Sequence, residues 1–319
     1  MEPTSKPASK RPGVRAVHSV DRFVMTVPDL AIAENFYSDF GLEVRRSADR
    51  LQLQTFGNPH TWGEVVQHEG PKRLQYLRFG IFAEDREFFA QKVSALGLSI
   101  EPHPLGNGDG IWLRGVDGFA MQLVVADKVS PSVRSRPLVV HTLPGAGAAP
   151  ARSQAPRVRP RRLSHVLTFS TDVPRSIAFY RDVLGLRLSD HAGDGIAFMH
   201  GAHGSDHHLV ALAKSHANGL HHLSWDVGSI DEVGLGGEYM KVKGHTHGWG
   251  VGRHVLGSNY FYYVRDPWGS WCEYSFDIDH ISADLDWVAA DHPGEDSFYA
   301  WGPEVPADFV TNHEYPAPV

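Results

Sequence analysis

Two stretches of this chain of 319 residues repeat each other. Val27-Pro28-Asp29 leads to Phe36-Tyr37 and on to Gly41-Leu42-Glu43-Val44, while Asp172-Val173-Pro174 leads to Phe179-Tyr180 and on to Gly185-Leu186-Arg187-Leu188. The matched tyrosines, Tyr37 and Tyr180, stand 143 positions apart. Further along, Arg114-Gly115-Val116-Asp117-Gly118 with Met121-Gln122-Leu123 answers to Arg265-Asp266-Pro267-Trp268-Gly269 with Cys272-Glu273-Tyr274, at an offset of 151. A duplication this regular restricts the fold to two like halves that differ by a few loop residues. Each copy reads as a β-rich run, an Asp/Pro turn, a short amphipathic helix carrying Phe-Tyr, a Gly-Leu stop and a new strand.

A fainter repetition lies inside each half. Ala83 to Leu96-Gly97-Leu98 repeats the helix and its stop, and Ile230 to Lys243-Gly244 does so less clearly. The expected fold is therefore α+β, with four βαβββ modules paired into two domains, each pair curling into an incomplete barrel around a cavity. The expected boundaries are a disordered tail over 1–17, a first domain over 18–127, a linker rich in Pro, Ala, Arg and Ser over 128–162, a second domain over 163–280, and a C-terminal extension over 281–319. A structureless extension of that length reads as a lid or an interface arm. Roughly 130 residues suffice for each half to bury a core of its own.

Composition excludes several classes. No apolar run approaches the roughly 18 residues that span a membrane, and the basic N-terminus lacks the apolar stretch of a secretory signal. A net charge of -7 argues against nucleic acid as a partner. The single cysteine, Cys272, excludes intramolecular disulfides and fits a reducing cytoplasm. The anomaly is 20 histidines in the same chain, since imidazole is the commonest metal ligand.

Three positions in the second half put a metal-ligating side chain beside an apolar alternating run. His165 precedes Val166-Leu167-Thr168-Phe169, His222 precedes Leu223-Ser224-Trp225, and Glu273 sits within Trp271-Cys272-Glu273-Tyr274. Such groups are costly inside a barrel unless paired or coordinated. Two histidines and one carboxylate form the facial set that holds iron(II) and leaves its other positions open. The duplication is an internal control: the first half has Arg22, Tyr76 and Gln122 at the equivalent positions. The shared scaffold therefore does not itself demand His, His and Glu.

The run Gly252-Arg253-His254, Gly257-Ser258-Asn259-Tyr260-Phe261-Tyr262-Tyr263, Arg265-Asp266-Pro267-Trp268-Gly269 and Glu273-Tyr274 resembles the signature of the type I extradiol ring-cleaving dioxygenases of the vicinal oxygen chelate superfamily. The likeness extends over about residues 18 to 280. It implies His165, His222 and Glu273 as metal ligands, and His254 and Tyr263 as groups that orient substrate. It also implies an acid/base histidine on the strand before the second ligand, where His207-His208-Leu209-Val210 resembles the family's pattern. His208 fits the apolar pattern better, with His207 as the alternative. The resemblance further implies iron(II), with manganese(II) open because it prefers similar ligands. Its partners would be a catecholic substrate and O2, in a homo-oligomer of aromatic catabolism, with no nucleic acid or membrane partner. The implied product is a hydroxymuconic semialdehyde-type compound containing both oxygen atoms.

Two other readings stay open on sequence: a metal-dependent lyase or isomerase related to glyoxalase I, and a ligand-binding protein that holds no metal. Phe198 to His200, Trp249, Trp271 and parts of 285–310 are the expected pocket wall, suited to an alkyl- or aryl-substituted catechol. His245, His247 and His254 suggest a polar edge for a carboxylate substituent.

Overall fold

Both halves begin with the same local chemistry. In the computed structural model, which describes residues 8–139 and 142–315, the turn aspartates Asp29 and Asp172 cap the first helix of each half, accepting hydrogen bonds from the N–H groups of Ala31 and Ile32 and of Arg175. Gly41, at a φ of 105°, supplies the left-handed residue that stops the first of these helices.

The first module comprises β1 (Ser19–Val27), α1 (Leu30–Phe40), β2 (Glu43–Arg46), β3 (Arg50–Thr55) and β4 (Asn58–Gln67). The second has β5 (Arg73–Ile81), α2 (Arg86–Ala95), β6 (Ile111–Arg114) and β7 (Ala120–Val125), its remaining strand reduced to a single bridge between Ser99 and Leu113. The third comprises β8 (Arg162–Ser170), α3 (Val173–Asp182), β9 (Arg187–Ala192), β10 (Ile196–His200), the two-residue β11 (Ser205–Asp206) and β12 (Val210–Lys214). The fourth is β13 (Gly219–Asp226), α4 (Ile230–Val242), β14 (Gly248–His254), β15 (Tyr260–Arg265) and β16 (Trp271–Phe276). The tail adds β17 (His280–Ile281), β18 (Ala290–Asp291), the one-turn α5 (Gly294–Ser297) and β19 (Tyr299–Trp301). None of the described helices is long and apolar enough to cross a membrane.

These elements form an α+β fold with mixed, unclosed sheets, the four-module arrangement that the duplication predicts. The first sheet runs β2-β3-β4-β1-β5-β7-β6 and the second β18-β9-β10-β12-β8-β13-β16-β15-β14-β19. In the second sheet the period-2 alternation separates two faces. Val166, Val210, Leu212, Leu223, Trp225, Cys272 and Tyr274 enter the main core, which is continuous with that of the first half. Phe40 and Tyr274 stack with centroids 3.9 Å apart, and the Tyr274 hydroxyl donates to the Phe40 carbonyl at 2.7 Å. The two halves thus share one core rather than burying one each. The α4 signal is faint in sequence because Gly236 and Gly237 interrupt its apolar stripe; a Cβ there would come within 2.8 Å of the Tyr274 ring and 2.7 Å of the Tyr262 ring.

Two segments depart from expectation. Residues 1–7 of the expected disordered tail lie outside the described residues, but 8–17 are laid against the second half: Ala16 and Val17 are buried, Val17 N–H donates to the Leu184 carbonyl at 2.9 Å, and Arg11 N–H donates to His203 Nδ1 at 3.1 Å. Apolar burial at Ala16 and Val17 is what fixes this segment. The C-terminal extension is neither structureless nor remote, since β18 pairs with β9 at one edge of the second sheet and β19 with β14 at the other. It therefore crosses the open side of the curled sheet.

Candidate metal centre and its cavity

Register assembles the site. On the face of the second sheet away from the core, His165 on β8 pairs with Ser224 on β13, Ser224 pairs with Glu273 on β16, and Glu273 pairs with Tyr263 on β15. His222 is one alternation away from Ser224 on the same face. In the first half the same rung joins Arg22 to Arg78 and Arg78 to Gln122, with Tyr76 in the place of His222. Arg22 there makes an ion pair with Glu64, so charged side chains occupy the position where the other half gathers ligands.

The three sequence-predicted ligands come together. His165 Nε2 lies 3.1 Å from His222 Nε2 and 3.3 Å from Glu273 Oε2, and His222 Nε2 is 3.7 Å from the same oxygen. An ion bonded at about 2.1 Å to neighbouring ligands holds them roughly 3 Å apart. All three residues are buried, and among the described residues Glu273 Oε2 has no hydrogen-bond donor. A buried carboxylate oxygen left bare beside two imidazoles is an unmet electrostatic demand, and a cation meets it. The residues present fit a divalent metal.

The other atoms of these ligands are held in place. Glu273 Oε1 accepts a hydrogen bond from Asn259 at 2.9 Å. His222 Nδ1 faces His221 Nδ1 at 2.8 Å, and His165 Nδ1 faces the Ser164 hydroxyl at 3.3 Å, which itself donates to Asp206. Such partners fix ring orientation and tautomer at metal sites. Burial acts to raise the Glu273 pKa, but the imidazoles of His165 and His254 outweigh it and keep the carboxyl below its ordinary range. Burial, with the imidazoles of His221, His165 and His254, holds His222 well below the usual histidine range. A carboxylate and a neutral imidazole are the forms that ligate.

The ligands open onto a cavity of about 440 Å³. His208 lines it, its ring centroid 4.0 Å from that of His165, whereas His207 turns away from the cavity toward Asp190. His254 and Tyr263 also line it, with His254 Nε2 2.9 Å from the Tyr263 hydroxyl. Leu167, Ile196, Phe198, Leu256, Phe298 and Phe309 make most of the remaining wall.

Three residues expected at the wall stand behind it. His200 is buried against the Ser189 hydroxyl, and Trp249 and Trp271 pack with Phe261, Tyr263 and Phe309 in a separate aromatic cluster. The two indoles are apolar bulk supporting the wall, and His200 is a hydrogen-bonded polar group of the interior. His245 and His247 are also elsewhere, facing Asp39 and Asp308, which leaves His254 alone of that trio on the cavity. Sequence reading missed Asn259 and Ser224, and took His221 only as the alternative to His222 in that doublet. Asn259 had a signal, lying within the Gly257 to Tyr263 run; Ser224 had none beyond sharing the strand alternation of His222.

The second half, residues 162–274, matches the model of the glyoxalase/bleomycin resistance protein/dioxygenase superfamily. Over the whole length, the chain is 48% identical to metapyrocatechase 2 of Cupriavidus necator, with 96% of each chain covered. Among solved structures, it resembles the Mn(II)-bound glyoxalase of Novosphingobium aromaticivorans (TM-score 0.73, 24% identity, 91% of this chain and 93% of that one) and homoprotocatechuate 2,3-dioxygenase of Brevibacterium fuscum (TM-score 0.71, 20% identity, 98% and 84%), likenesses of fold. The extent of the metapyrocatechase match, joined to a bare carboxylate oxygen between two histidines, places the chain in that superfamily as a member of its extradiol ring-cleaving dioxygenases.

Proposed function

We propose that this extradiol dioxygenase works with iron(II) held by His165, His222 and Glu273, and that its substrate is an uncharged catechol carrying an alkyl or aryl substituent. The observation that carries the metal assignment is the bare Glu273 Oε2 facing two imidazole nitrogens across 3.3 and 3.7 Å. Iron(II), when bound, supplies the Lewis acidity and the redox chemistry that a catechol and dioxygen need in order to react. Manganese(II) would accept the same donors, whereas zinc(II) offers no redox chemistry.

The chain's own residues supply orientation, proton management and dryness. His254 donates its Nδ1–H to the Phe298 carbonyl at 2.8 Å, which leaves Nε2 as an acceptor for the Tyr263 hydroxyl. That pair is a polar edge in an apolar wall, suited to fixing a catechol oxygen. Burial, followed by the imidazoles of His165, His207, His222 and His254, keeps His208 well below the usual histidine range, so the ring rests neutral. Its Nδ1 is taken up by His207 at 3.1 Å, which leaves Nε2 to accept a phenolic proton and return it as the ring opens. Phe198, Phe298 and Phe309 exclude water from these transfers.

The substrate class follows from what faces the cavity. Lys214 is the only cationic side chain among the described lining residues, and its ammonium is already bound to the Thr171 carbonyl. A carboxylate on the ring would be buried without a partner. The test is oxygen uptake with a panel of alkyl-, aryl- and carboxyl-substituted catechols, with metal content measured on the same sample. Alkyl and aryl catechols should give yellow ring-opened products with one O2 consumed per ring, and carboxylated ones a kcat/KM lower by about tenfold or more. Full activity after exhaustive chelation would overturn the metal assignment.

A further inference from the structure

Behind the His207–His208 contact runs a buried chain of polar groups that the reaction as described does not use. His208 Nδ1 is 3.1 Å from His207 Nδ1, and His207 Nε2 is 2.9 Å from Asp190 Oδ2. The other oxygen, Asp190 Oδ1, accepts from the backbone N–H of Ala290 and faces His292 Nε2, both at 3.0 Å. His207 is clamped edge-on by Trp287, and Phe198 lies beside both imidazoles. Ala290 and His292 belong to the C-terminal extension, at and beside β18, which pairs with the strand bearing Asp190.

Hydrogen-bond geometry shows how this chain is joined. Burial acts to raise the Asp190 pKa, but hydrogen bonds from His207, the Ala290 N–H and His292 reverse it and leave the carboxyl below its ordinary range. An ionised carboxylate only accepts, so His207 must carry its proton on Nε2. Its other nitrogen, Nδ1, meets His208 Nδ1 at 3.1 Å, and a hydrogen bond there holds the His208 ring by that edge. His208 is left with a bare Nε2, the nitrogen for which the described residues provide no partner.

We propose that Asp190 and His207 are positioning residues that hold His208 by its Nδ1 and leave its Nε2 toward the cavity, and that the C-terminal extension completes this device through Ala290 and His292. The arrangement orders the acid/base group before substrate arrives. It rests on the ring-cleaving reading given above, in which His208 moves the substrate proton.

The test compares four forms of the metal-loaded enzyme: wild type, His207→Leu, His207→Gln and Asp190→Asn. Glutamine at 207 can donate an amide N–H to Asp190 and meet His208 Nδ1 with the rest of its amide, reproducing both contacts of the imidazole without carrying a proton through. His207→Gln should therefore keep kcat within about fivefold of wild type, while His207→Leu and Asp190→Asn lose kcat on the order of 100-fold. In all variants, metal content, KM and anaerobic catechol binding should stay within about threefold of wild type. Wild-type turnover in His207→Leu would overturn the proposal. So would equal losses in His207→Leu and His207→Gln, because position 207 would then be conducting protons rather than orienting a ring. Because the two position-207 variants leave Asp190 and its bonds to the tail in place, they decide the matter even if Asp190→Asn does not fold. A wild-type enzyme that opened no catechol would instead count against the ring-cleaving reading.

Discussion

Asn259 donates a side-chain N–H to Glu273 Oε1 at 2.9 Å, and in doing so turns the other carboxylate oxygen toward His165 and His222. The second N–H of the same amide goes to the Ser275 hydroxyl at 3.0 Å, so the donor is itself fixed. The orientation of the acidic ligand thus depends on a residue that touches no metal.

Asn259→Ala removes that restraint and leaves Oε1 free to compete for the cation. Metal affinity should fall about 10- to 100-fold, read by competition with a chelator of known affinity. Asn259→Asp sets a second carboxylate against Glu273 and should weaken turnover further by forcing a proton onto the pair. Unchanged affinity in Asn259→Ala would show that the carboxylate is held by its strand alone.

His222→Ala and His208→Phe should separate binding from chemistry. The first removes one of three ligands and should abolish metal retention after gel filtration. The second keeps the ligand set intact, so metal content and anaerobic catechol binding should persist while oxygen-dependent turnover falls on the order of 100-fold or more. Equal loss of metal in both variants would mean that His208 belongs to the ligand set.

The ligand positions are legible in the sequence because a strand that alternates strictly exposes any polar residue on the wrong face, and because the duplicated half shows what the scaffold accepts without a metal. His165, His222 and Glu273 stand out on both counts. The wall is less legible. Ala290 meets Asp190 across 100 residues, and Phe309 reaches the cavity from a segment with no periodicity. Two- and three-residue strands such as β18 and β19 carry too little local pattern to be read. Trp249 and Trp271 mislead for a related reason: a large aromatic beside a site is equally suited to lining it or to backing it, and only the strand's register decides. The doublet at 207–208 shows how much register decides, since His208 lines the cavity while its neighbour His207 turns away to Asp190.

Glu314 gives the fold a pH-dependent contact remote from the metal. Both its oxygens receive the Leu74 N–H at 3.0 Å, beside the buried Lys72–Asp266 ion pair at 2.8 Å. Burial pushes its pKa up to about 7, against the opposing pull of Lys72 and of backbone N–H groups. A carboxyl whose folded pKa lies above its unfolded value near 4.5 favours the folded state fully below that lower value, and this contribution is lost as pH rises through 7. Glu314→Gln should therefore match wild type near pH 4.5 and be the more stable form at pH 8, by at most about 3 kcal/mol. Denaturant titrations at the two pH values test this; a difference that is the same at both would remove Glu314 as the titrating group.

Ser224 provides a test of the cavity geometry that leaves all ligands in place. It is fully buried and pairs with both His165 and Glu273 on one rung of the sheet, so its side chain shares the face on which the ligand atoms converge. In the first half the equivalent rung carries Arg78, which shows that the scaffold tolerates bulk there when no metal has to be held. Valine suits a central strand, so Ser224→Val should fold, with a melting temperature within about 3 °C of wild type. Its added methyl groups, however, take up space between the two ligands, and metal content should fall below about a tenth of the wild-type value. A well-folded Ser224→Val protein with a full complement of metal would place the ion off this rung, and the facial arrangement of His165, His222 and Glu273 would have to be abandoned.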